Sequence, residues 1–354
     1  MIPRIYTKYG KDRTGYISLT CILFLATVLP PRSRPPQLKP ETPQNLPGSS
    51  AAAALNALLP PLVSIHDSVK TWDDKGKPSL HFTSGDGRIN AVQSGISNGR
   101  SMLITGGQSG MIHIWNPADG SREDINSYGH GEVDSLALSQ DKSLIAAGYS
   151  DGHITITRLA DLKLLTDIQA NSQAIRALVF TKDRNNLIGG SADGVIRIWS
   201  VAQKGKLLSF RGDIIAHESS INGISLSPNG GILASVSQDG TLKTWDYMQG
   251  ALNFRVDVCK KGVNAASYSP DGNTIATGDS SGRVQLYNAA TGGQIPFLGN
   301  RSEPILCLLW SNDGTTLAAG DADNTITYWN ISTGRQLACI AAHDGPVRGL
   351  SAAP

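Results

Sequence analysis

Residues 235–246 read SVSQDGTLKTWD. Polar and apolar residues alternate up to Ser237, a Gln-Asp-Gly turn follows, and alternation resumes from Thr241. Period-two patterning on both sides of a glycine turn marks a β-hairpin. The same phrase recurs along the chain. It reads GGQSGMIHIWN from Gly106, GYSDGHITITR from Gly148 and GSADGVIRIWS from Gly190, then GDSSGRVQLYN from Gly278 and GDADNTITYWN from Gly320. The aromatic position falls at Trp115, Thr157, Trp199, Trp245, Tyr287 and Trp329, at intervals of 42, 42, 46, 42 and 42 residues. A seventh copy, SIHDSVKTWDD from Ser64, sets Trp72 43 residues before Trp115. A second turn lies upstream of several hairpins: SPNG at 227–230, SPDG at 269–272, SNDG at 311–314. Each period therefore carries four short strands.

These residues resemble the WD40 repeat family. Tyr-Gly-His at 128–130 and Ala-His at 216–217 and 342–343 are similar to its Gly-His element, and Trp72-Asp73 and Trp245-Asp246 to its Trp-Asp ending. The resemblance covers roughly residues 60–354, and its variant is that of an exported or membrane-tethered bacterial-type WD-repeat protein. It implies a seven-bladed, all-β propeller with a hydrogen-bonded tetrad inside a blade. Only His217, Ser237, Asp239 and Trp245 supply all four members, and they are expected to be structural.

A ring follows from physics without the name. A single four-stranded sheet cannot bury both faces, so neighbouring sheets must pack face to face, and closing the circle protects the edges. The last copy, AAHDGPVRGLSAAP, stops at Pro354 after one strand, while PLVSIHD, SVKTWD and SLHFTS within 61–84 supply three. The last blade is expected to be shared between the C-terminal strand and residues 61–84. The domains then run 1–29 (leader), 30–60 (a proline-rich linker) and 61–354 (propeller).

The leader has a basic start and an uncharged run, Tyr16–Leu29, that as a helix would span about 21 Å, short of the ~30 Å hydrocarbon core. A cleaved signal, an uncleaved anchor and no export all stay open, with a periplasmic or equivalent extracytoplasmic location, or anchoring by 16–29, expected. Membrane contact would come only through this leader. Seven of the 31 basic residues and two of the 29 acidic ones precede residue 60, which leaves 24 against 27 for the folded part. That balance argues against nucleic acid as a partner. Cys259, Cys307 and Cys339 lack metal-ligand or disulfide spacing and read as buried small hydrophobes.

Two patterns mimic catalytic motifs. GDSSG at 278–282 matches a nucleophile elbow around Ser280, but it lies in a strand-to-strand turn where the elbow needs strand-to-helix. Asp321-Ala-Asp323-Asn324 begins like a calcium loop without its later glycine and glutamate. Asp323 reads as the repeat's turn aspartate. Asn300 and Asn330 head glycosylation triplets.

No enzyme, metal or cofactor is expected, and a monomer binding a protein or peptide is. In propellers a partner commonly docks on the face carrying the loops into the first strand and between the second and third. On one arc these positions are Arg88, Asn90, Gln108, Glu132, Asp134 and Arg176. Further round come Asn222, Gln238, Asn264, Arg348 and His66. The alternative is an exported lactonase- or hydrolase-like propeller with a metal in its channel, for which Glu132, Asp134 and His66 are isolated candidates.

Overall fold

The structure, a computed structural model, describes residues 61–353 apart from 98, 126–127 and 202–207. The leader, the linker and Cys21 lie outside the described residues. Seven four-stranded antiparallel sheets form a seven-bladed β-propeller. Blades one to six cover 89–125, 133–169, 175–215, 221–257, 263–300 and 305–341, each in sequence order from the axis outward. Blade seven is shared, as expected: Gly349–Ala352 pairs with Leu62–Ile65, followed outward by Ser68–Trp72 and Pro78–Thr83.

Burial follows position in the blade. The second strands Leu144–Tyr149, Asn186–Ser191 and Thr316–Asp321 are buried at every residue, because blades cover both their faces. Outer strands such as Lys163–Gln169 and Ala251–Asp257 keep most residues exposed or half-buried. The sequence follows suit, with LIAAGY inside and KLLTDIQ outside.

Blades interlock through missing side chains. A Cβ at Gly148 would lie 2.7 Å from Ile175 Cγ2, and one at Gly278 would lie 2.8 Å from Ile305 Cβ. At these positions glycine lets the branched residue that opens the next inner strand seat against the preceding blade; blade four has Val236 there. The hairpin turn also needs a left-handed residue. Gly240 supplies it at φ 86°, and Asn324, the one departure from glycine in GDADN, does so at φ 67°.

Closure joins the two ends of the propeller by four backbone-paired positions, from Leu62↔Ala352 to Ile65↔Gly349. Ala353 N donates to Pro61 O at 3.1 Å, and the Ser94 hydroxyl of blade one donates to Ala352 O at 2.6 Å. Deleting 61–84 would leave the C-terminal strand unpaired and bare two blade faces. Such a variant is expected to aggregate or lose its cooperative melt, read by size-exclusion chromatography and thermal denaturation. A monomer melting near the parent temperature would contradict the shared blade.

Candidate functional site

In blade four, the His217 ring sits between a carboxylate and a hydroxyl. Its Nδ1 donates to Asp239 Oδ2 at 3.0 Å, and its Nε2 accepts from Ser235 Oγ at 2.8 Å. Ser235 Oγ in turn accepts from Trp245 Nε1 at 2.9 Å. The indole can only donate and the hydroxyl proton must therefore go to the imidazole, which fixes the tautomer. This corrects the expected tetrad: Ser235, not Ser237, bridges the rings. Ser237 lies on the same face but at the strand end, where it accepts from Asp239 N and donates to Ser219 O. Asp239 is held down to about 2. Burial opposes this, and the Thr241 hydroxyl and the His217 ring outweigh it.

Blade seven repeats the device across the closure. Ser64 Oγ donates to His343 Nε2 at 2.8 Å and accepts from Trp72 Nε1 at 2.8 Å, while His343 Nδ1 faces Ser68 Oγ at 3.4 Å. Lys70 donates to Ala342 O at 2.8 Å, just as Lys243 does to Ala216 O at 2.6 Å in blade four. The shared Ala-His and Lys-Thr-Trp-Asp words could have revealed this second network; the tight His66-Asp67 turn, lacking the Ser-x-Asp-Gly phrase, hid it. Burial first, then Lys70 and His66, pushes the His343 imidazole down to about 4, with Asp67 opposing. His217 is likewise lowered by burial, against Asp239.

The second arrangement is the axial mouth. In six blades the pairing of first and second strands skips one residue, a β-bulge, and these bulged residues are Asn90, Asp134, Arg176, Asn222, Asn264 and Leu306. Arg348, just before Gly349–Ala352, holds the same repeat position. A bulge re-aims its side chain, and here it turns these seven toward one depression of about 450 Å³, joined by Arg88 and Gln238.

The asparagines are occupied with the ring itself. Asn90, Asn222 and Asn264 donate to the carbonyls of Val133, Val263 and Ile305 in the next blade at 3.2, 3.0 and 2.9 Å. Asp134, Arg176, Leu306 and Arg348 replace that clasp. Arg176 is exposed, and Arg348 Nε is buried without a hydrogen bond. Burial raises the Asp134 carboxyl, with Arg176 opposing. Burial, then Arg88, holds Arg348 below its usual value, with Glu132 opposing.

Three expected face residues lie outside the depression. Glu132 accepts from Arg88 at 2.7 Å, Gln108 accepts from Arg88 N at 3.4 Å, and the His66 ring packs edge-on to His343 at 6.2 Å. The look-alike motifs resolve as turns. Ser280 Oγ donates to Asn264 Oδ1 at 3.1 Å. Asp321, not Asp323, is the turn carboxylate: it is buried and accepts from the N–H groups of Asp323 and Thr325 and from Arg301. The cysteine expectation also needs correction. Cys259 is buried, and burial pushes the Cys307 thiol up to about 12, but Cys339 is exposed on an outer strand.

Comparisons with known proteins agree with the fold. The Vps8 beta-propeller model matches residues 68–188, and the WD domain, G-beta repeat, matches 208–246, 254–288 and 294–330. Protein ROOT INITIATION DEFECTIVE 3 of Arabidopsis thaliana is 27% identical over 53% of this chain and 46% of its own length. Target of rapamycin complex subunit wat1 of Schizosaccharomyces pombe is 24% identical over 41% and 45%. Small ribosomal subunit protein RACK1y of Oryza sativa is 26% identical over 40% and 43%. The chain thus spans less than half the length of these relatives. Among solved structures, the computationally designed protein Ika8 superposes with a TM-score of 0.64 at 24% identity, covering 82% of this chain and 86% of that one.

These relatives overturn the expected compartment, and none of them supports the bacterial-type variant. They are plant and fungal, and a ribosomal-subunit protein and, at 28% identity, a U4/U6 small nuclear ribonucleoprotein of Saccharomyces cerevisiae are not periplasmic or extracytoplasmic proteins. Among the described residues no helix is long and apolar enough to cross a membrane.

Two outcomes follow from the ring networks. Ser235→Ala strands the buried His217 and Trp245 nitrogens and should cost ~1–3 kcal/mol, while Trp245→Ala leaves a cavity and should cost ~3–5 kcal/mol in urea denaturation. The second concerns pH. An unfolded His343 takes up its proton near 6.5, whereas the folded one stays neutral down to about 4, so the unfolded state binds more protons between them. Stability is full above 6.5 and falls as pH drops through that window. His343→Gln should be less stable at pH 7 but show a shallower fall in urea midpoint between pH 7 and pH 5. Asp239 adds its own loss only below about 3.8.

Proposed function

For this propeller, which carries WD40 repeats, we propose a non-enzymatic role: a monomeric interaction scaffold that docks a protein or peptide on the axial mouth. The observation that carries the reading is the division of labour among the seven bulge positions. Three asparagines clasp neighbouring blades, whereas Asp134, Arg176, Leu306 and Arg348 face the depression without that duty. Guanidinium groups match carboxylates in a two-pronged geometry, and arginine is enriched at interface hot spots. With Arg88 already engaged by Glu132, Arg176 and Arg348 favour a partner segment bearing a carboxylate.

The relatives named as subunits of a ribosome and of a target of rapamycin complex support a binding role. A channel metal enzyme would need carboxylates converging on the axis. The depression instead holds one carboxylate, Asp134, in a lining that includes three arginines, a balance that does not gather negative charge for a cation.

Arg176→Glu with Arg348→Glu is the direct test. Affinity capture from cells should recover a partner with the parent protein and with Lys182→Glu, a charge swap in the turn at the far end of the same inner strand. The double variant should lose it by at least tenfold, as losing contacts together worth ~1.4 kcal/mol or more would require. A double variant that melts like the parent and retains the same proteins would overturn the reading.

A further inference from the structure

Blade two breaks the repeat in two places at once. Where blades one, four and seven put a hydroxyl (Thr105, Ser235, Ser64) against a Trp indole, blade two has Ala147 and Thr157. Its histidine has neither of the usual inner partners. The buried Tyr149 fills the space, with its hydroxyl 3.3 Å from Thr155 Oγ1, and the His130 ring lies against it at 5.0 Å.

His130 turns outward as a result. Its Nδ1 keeps the turn aspartate, Asp151 Oδ2, at 3.2 Å, the counterpart of His217 and Asp239. Its Nε2 now points to Asp167 Oδ2 at 3.1 Å, on the outermost strand Lys163–Gln169. A second imidazole stacks on it: His153, with ring centroids 3.9 Å apart. His153 Nδ1 is buried and makes no hydrogen bond, although Asp151 Oδ2 is 3.2 Å away. One ligand atom each from His130, His153 and Asp167 fall within 4.8 Å of one another, and this is the one such group among the described residues.

We propose that His130, His153 and Asp167 form a binding site for a divalent transition metal, zinc by chemistry. Two imidazole nitrogens and a carboxylate oxygen are the donor set such an ion favours over magnesium or calcium. With bonds of ~2.0–2.1 Å, the edge of a zinc tetrahedron is ~3.3 Å, close to the 3.1 Å between His130 Nε2 and Asp167. His153 closes the set by rotating about its side-chain bonds. Asp151 acts behind the first ligand: by accepting from His130 Nδ1 it directs the Nε2 lone pair to the ion, the orienting carboxylate that metal-bound histidines commonly have. Asp167 is one-third exposed, which leaves a path for entry and a fourth position for water. The site sits at the outer part of blade two, away from the axial depression, and does not depend on how that depression is used.

The test uses tag-free full-length protein stripped with chelator and titrated with zinc chloride by calorimetry, with thermal melts in parallel. The parent should take up one equivalent and melt higher with zinc. His153→Ala and Asp167→Asn, both at half-buried or exposed positions, should keep the apo melt while losing at least tenfold in affinity, and Asp151→Asn should weaken it less. Calcium and magnesium should leave the melt unchanged. No saturable uptake by the parent would overturn the proposal. So would uptake that the His153 and Asp167 variants retain in full, which would place the ion elsewhere, for example on the exposed Cys339.

Discussion

Four residues at each end of the propeller hold the ring shut. The Gly349–Ala352 strand pairs only with Leu62–Ile65 along its edge, and every other sheet depends on having a neighbour on both sides. The second strands are buried along most of their length because blades flank them, so an open circle would expose two such surfaces as well as two edges. That Ser64, Trp72 and His343 recreate the blade-four network across this joint fits its importance. A hydroxyl held between an indole and an imidazole adds direction to a contact that apolar packing alone would leave loose.

The network is not needed in every blade. Blade three puts Gly189 under Trp199, where an added Cβ would come within 3.0 Å of the ring, so no side chain and no hydroxyl stands at that position. Blades five and six move the turn carboxylate two residues earlier, to Asp279 and Asp321, each buried and joined to an arginine. Blade two drops the hydroxyl and the indole together, and its histidine finds other company. The repeat fixes a cavity and a turn, and different side chains fill them under one rule: buried polar atoms must be satisfied.

The propeller was legible because its period of about 42 is carried by turn residues and strand alternation, signals set by local geometry. Closure was legible for the same reason, as a count of strands left over at each end. Which hydroxyl completed the tetrad was not, because Ser235 and Ser237 share a face and only strand register separates them. The mouth was readable position by position from the repeat, eight of its nine lining residues being among those named; the ninth, Leu306, carries no polar group. His66 was misplaced because the shortened turn of blade seven leaves it beside His343. The exposure of Cys339 was hidden too: outer strands alternate like inner ones, and alternation does not tell which face has a neighbour. Blade two's outward histidine needed the third dimension, since Asp167 lies 37 residues beyond it.

Closing the ring links Ser64 to His343 over 279 residues, while each hairpin joins neighbours in sequence. The chain entropy lost in closure grows only with the logarithm of that span. Compared with a loop the length of one repeat, it adds about 2 kcal/mol, a sum that a few buried side chains cover. The time needed is another matter. Hairpins form in microseconds, but contacts between distant segments slow folding by orders of magnitude. The chain must therefore pass through a crescent of largely finished blades with both end faces bare. A crescent can find its own terminal strand or that of another molecule, so the one joint that completes the native ring is also the one most open to exchange between chains.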